Sequence, residues 1–97
     1  MGTAEYSAAA AGSEAALHPL ERLLAERRWL LSELRRFEER YGMSTREFVE
    51  AWRSGRIPEP EDVEVLEDFM SWETLYEALL RVEARIRAVG RRAWLKA

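Results

Sequence analysis

Two stretches of this chain carry apolar residues at the a and d positions of a seven-residue repeat, and each repeat is broken once, by charges of opposite sign. In residues 20–41 the seam is Leu20, Leu23, Leu30, Leu34, Phe37 and Tyr41, with Arg27 where an apolar residue is due. In residues 60–89 it is Val65, Phe69, Trp72, Tyr76, Leu79 and Ile86, with Glu83 as the exception. Two long amphipathic helices joined by a compact connection run antiparallel. Laid side by side, the seams set Tyr41 against Phe69, Phe37 against Trp72, Leu34 against Tyr76, Leu30 against Leu79 and Leu23 against Ile86. In that register Arg27 meets Glu83. Each charge alone is an error in its seam; together they form a buried complementary pair that fixes the register.

The segment between the two helices, GMSTREFVEAWRSG (residues 42–55), is punctuated by glycine at both ends. Gly42 suits the left-handed position that ends a helix. Ser44-Thr45-Arg46-Glu47 has the S-x-x-E pattern of a capping box: Ser44 accepts from the Glu47 amide, and Glu47 reaches back to the Ser44 amide. Phe48 and Trp52 lie four residues apart, on one face, beside Val49. A helix of about ten residues does not persist alone in water, so this one is expected to dock. The aromatic end of the hairpin lies beside it, and Phe48 and Trp52 are expected to cover that end as a lid. Pro58 and Pro60 hold the following connector extended and start the last helix at Pro60. Gly90 is expected to weaken or end it.

The expected fold is therefore all-α: an antiparallel helical hairpin of two long helices with a short intervening helix, closed as a homodimeric helical bundle. Residues 20–97 form the single helical domain. Residues 1–19 are poor in large apolar groups and read as a flexible tail. There is no Cys, which fits a reducing cytoplasm and excludes disulfides and thiol chemistry. No apolar run approaches the ~18 residues of a membrane span, and no basic stretch precedes the N-terminal alanines as in a secretory signal. Fourteen Arg stand against one Lys, Lys96, and Asn and Gln are absent. Thermophily and GC-rich coding both produce this bias.

Self-association follows from the width of the last helix's apolar stripe. Leu75, Val82 and Val89 flank its seam on one side, and Leu66, Met70 and Leu80 on the other. One neighbour cannot cover so broad a surface, so a second copy or another protein is expected to. The expected contact residues are Leu75, Val82, Ile86 and Val89, with Trp29 and Trp94 as off-seam aromatic anchors.

Charge is segregated along the same helix. Residues 59–77 hold eight acids and no base, whereas Arg81, Arg85, Arg87, Arg91, Arg92 and Lys96 follow with Glu83 as the one acid. The arrangement complements a helix macrodipole. It also leaves Arg85, Arg87, Arg91 and Arg92, near Trp94, as candidate phosphate contacts for nucleic acid. A net charge of -3 and the lack of a helix-turn-helix, ribbon or zinc motif weigh against that use.

No catalytic constellation is legible. His18, the one histidine, lies in the tail, and the acids of residues 59–68 lack the glycine turn and spacing of a calcium loop. Chorismate mutases of similar length line their bundle with Arg and Lys, but the one Lys here is terminal. Helical RNases of the HEPN class need an Arg shortly before a His, and no Arg precedes His18. No catalytic residue, cofactor or metal is assigned, and the chain reads as non-enzymatic.

One resemblance bears on function. Residues 34–86 resemble a group of small helical prokaryotic proteins whose pattern is F-E-x-x-Y-G-M-S, an E-F helix closed by Gly, an acidic connector and F-x-x-W-x-x-L-Y. Its positions here are Phe37, Glu38, Tyr41, Gly42, Met43, Ser44, Glu47, Phe48, Gly55, Phe69, Trp72, Leu75 and Tyr76. Many of those proteins look like the antitoxin members of toxin–antitoxin gene pairs. The resemblance implies a helical module that binds and neutralises a cognate toxin.

Overall fold

A computed structural model describes residues 19–96. Among them are three helices: α1 (Pro19–Tyr41), α2 (Thr45–Arg53) and α3 (Val63–Lys96). The long helices α1 and α3 form the hairpin, and α2 packs against both. No described helix is long and apolar enough to cross a membrane. Residues 1–18, with His18 and most of the expected tail, lie outside the described part of the chain, as does the side chain of Trp94.

The register is the one set by the seams. Phe37 stacks on Trp72 with ring centroids 5.7 Å apart, and Tyr41 meets Phe69 edge-on at 5.2 Å. One level after another toward the far end, Leu30 and Leu79 are buried, and Arg27 Nε donates to Glu83 Oε2 at 3.2 Å. That pair is not buried as expected. Its side chains keep 41% and 30% of their exposure, so it rides at the edge of the seam. Val82, beside Glu83, takes the inward position instead and is 4% exposed. A small roll of α3 accounts for both placements, since desolvating a carboxylate costs far more than burying an isopropyl group.

The turns are built as their chemistry requires. Gly42 has φ +68° and donates its amide to the Glu38 carbonyl at 2.8 Å. At the end of α2, Gly55 has φ +78°, its amide donates to the Trp52 carbonyl, and the Arg56 amide donates to the Ala51 carbonyl. These two bonds make a Schellman closure. Pro60 does not begin α3. Asp62 caps it, accepting from the Glu64 amide at 2.8 Å, because a side-chain acceptor satisfies a free helix amide that a proline ring cannot. Nor does Gly90 end α3, which continues to Lys96.

Candidate interaction surface

The core identifies which surfaces are committed to folding. Phe48 lies parallel to Trp72, with ring centroids 4.0 Å apart, and both are fully buried. Trp52 stacks on Phe48 and meets Phe69 edge-on. The short helix is thus the aromatic lid its sequence suggests. Its N-terminus is tied down three ways. Ser44 Oγ accepts from the Glu47 amide, Glu38 Oε2 accepts from the Thr45 amide at 2.8 Å, and Thr45 Oγ1 accepts from Trp72 Nε1 at 2.9 Å. The Glu47 carboxylate accepts from the Ser44 hydroxyl at 3.1 Å, where the capping-box pattern had it accept from the backbone amide. Sequence reasoning did not single out Thr45. The signal was available, because a buried indole N–H needs an acceptor.

Polar clasps border this core. Asp68 Oδ2 accepts from the Tyr41 hydroxyl at 2.6 Å and from Arg40 Nη1 at 2.8 Å. Those donors hold its carboxyl below the usual aspartate range, Tyr41 contributing most and Arg40 next, against an opposing effect of burial. The Tyr41 phenol is pushed up, first by burial and then by its bond to Asp68. On the other side, Arg53 of α2 donates to Glu73 at 2.7 Å and reaches Glu77 at 3.4 Å.

The expected contact residues are placed unequally. Val82 belongs to the core, and Leu75 and Ile86 are half-buried against it. Val89 is half-buried near the end of the hairpin. Trp29 is 57% exposed. Helical spacing sets it with Glu33, Arg36 and Arg40, which line a shallow recess with Phe37 and Asp68. Arg85, Arg87, Arg91 and Arg92 are all exposed but do not share one face. Arg85 and Arg92 are seven residues apart and Arg87 and Arg91 four, so the two pairs point to different sides of α3.

The apolar groups left outside the core lie elsewhere. Leu20, Leu24 and Leu31 are each 37% exposed, and Leu80 is 44% exposed. Leu20, Leu24 and Leu31 precede Glu38 by 18, 14 and 7 residues, which puts them on its side of α1, the side that holds α2. Leu80 lines a groove with Tyr76 and with Val49, Glu50 and Arg53 of α2. All four therefore share the face that α2 crosses, Leu80 at the edge of α2 and the three α1 leucines beyond it. Among the described residues there is no cluster of three or more His, Asp or Glu suited to a metal. No protein-family model matches the chain, and neither a curated protein nor a solved structure matches it significantly.

Proposed function

We propose that this protein is a non-enzymatic protein–protein interaction module, antitoxin-like in the sense that it binds and neutralises a cognate protein. The observation that carries the reading is the row of exposed leucines, Leu20, Leu24, Leu31 and Leu80, which share one face of the hairpin, whereas the more exposed Trp29, Val63 and Met70 do not line up with them. Such a row, at the end of a rigid aromatic core, suits helix-on-helix docking. The resemblance of residues 34–86 to antitoxin-side proteins supports the same reading. The test is co-expression with the product of the neighbouring gene. Relief of that product's growth arrest, together with a stoichiometric complex that Leu24→Glu disrupts, is the expected result. Growth arrest unaffected by the chain, with no complex, overturns the reading.

The same leucines favour a second reading, a homodimeric helical bundle with a structural role. The nucleic-acid reading gains less, because its four arginines divide between two sides of α3.

A further inference from the structure

We infer that a second copy of this chain docks antiparallel on the part of the face that α2 leaves bare, each copy's α2 acting as an end stop for the other. The inference rests on the homodimer reading and specifies its interface.

The first argument is steric. Moving away from α2, the register sets Leu31 and Leu80 first, then the Arg27–Glu83 bridge, then Leu24 and Leu20 level with Arg87 and Arg91. A helix stands about 10 Å proud of the surface it crosses. Two copies stacked face to face with their hairpins pointing the same way would collide through their α2 helices and leave the leucines apart. Reversed, the bare halves meet, the two α2 helices lie at opposite ends, and Leu24 of one copy falls near Leu31 of the other.

The second argument is electrostatic. Arg87 and Arg91 lie on the side of α3 that carries Leu80, by their spacings of 7 and 11 residues, and neither has an ion-pair partner among the described residues. Reversal carries them toward the α2 end of the other copy, where α3 carries Glu73 and the half-exposed Glu77, both paired with Arg53, and where Glu50 lines the groove beside Leu80 together with Arg46. The segregation of acids and bases along α3 thus becomes complementarity between two identical chains.

Light scattering across a concentration series tests this on the full chain. The expected result is a dimer whose affinity falls about a hundredfold in Leu24→Glu/Leu31→Glu, with helical content retained. Arg87→Glu/Arg91→Glu serves as a second variant, giving a smaller loss that shrinks in high salt. Trp29→Glu, on another side of α1, leaves the dimer intact. Orientation is read by mild oxidation, since the chain has no native Cys. Leu24→Cys chains mixed with Leu31→Cys chains form the mixed disulfide in preference to either symmetric one. Symmetric disulfides alone, or a dimer broken by Trp29→Glu and not by the leucine changes, overturn the inference and leave the homodimer reading standing. A monomer at every concentration overturns both, while the cognate-protein reading stands or falls on co-expression.

Discussion

The Trp72 indole donates its N–H to Thr45 Oγ1 at 2.9 Å, inside a core where Trp72 is fully buried and Thr45 is 6% exposed. Through this bond the first residue of α2 is fastened to the first third of α3. Replacing Thr45 by Val keeps the shape but leaves a buried donor unpaired, and the expected cost is about 1–3 kcal/mol. Thr45→Ser keeps the acceptor and loses a methyl group, so it should cost less. Urea unfolding of the two variants checks the order; Ser worse than Val would show that the site values packing over the bond.

Phe48→Ala removes the ring that lies against Trp72 and bridges Phe69 and Trp52. A loss of about 3–5 kcal/mol is expected, the range for a fully buried aromatic. The nine residues of α2 cannot stay helical without that contact. Hydrogen exchange should therefore show residues 45–53 losing protection first, while the α1–α3 hairpin amides retain theirs. Uniform loss along the chain would mean that α2 and the hairpin fold as one unit.

Much of the hairpin was legible because its two seam exceptions are opposite in sign and fall at the same level. The two seams set the alignment, and both the aromatic pairs and the meeting of Arg27 with Glu83 followed from it. A repeat is blind to a roll of the helix within its own width, however. Val82 and Glu83 are adjacent, and only three-dimensional packing decides which turns inward. Asp62 was hidden by Pro60, since both are good starters and their competition is settled by a single hydrogen bond. By spacing, Leu20 is a seam residue and Leu24 and Leu31 only widen the α1 stripe, and nothing in that spacing shows that α2 stops short of them.

In a single copy the Arg27–Glu83 pair is half-exposed, so at concentrations where the chain is monomeric its coupling should be small despite its place in the seam. A double-mutant cycle with Arg27→Leu and Glu83→Leu is expected to give about 0.2–1 kcal/mol, decreasing with salt. The double variant should be at least as stable as the parent, because leucine at both positions completes the two seams. A coupling of several kcal/mol would instead place the pair in a dry environment.

Asp68 makes stability depend on acid. Its carboxyl is held below the usual range, chiefly by the Tyr41 hydroxyl, so the folded chain takes up this proton less readily than the unfolded one. The resulting stabilisation is fully present above the ordinary aspartate pKa of about 4 and is lost as pH falls through the lower folded value. Asp68→Asn removes the titrating group, and Tyr41→Phe removes the largest cause of its shift. Both variants should show a shallower fall in stability between neutral and strongly acidic pH. Equal slopes in parent and variants would mean that Asp68 is no better solvated by its partners than by water.

Three glycines separate backbone need from accident. Gly42 and Gly55 sit at φ +68° and +78°, where an L side chain is strained whatever space surrounds it. Alanine at either should destabilise by about 1–2 kcal/mol. Gly90 lies within α3, and a Cβ there would meet nothing within 4 Å. Since glycine inside a helix costs roughly 0.5–1 kcal/mol relative to alanine, Gly90→Ala should stabilise by an amount of that order. Thermal melts at fixed concentration compare the three.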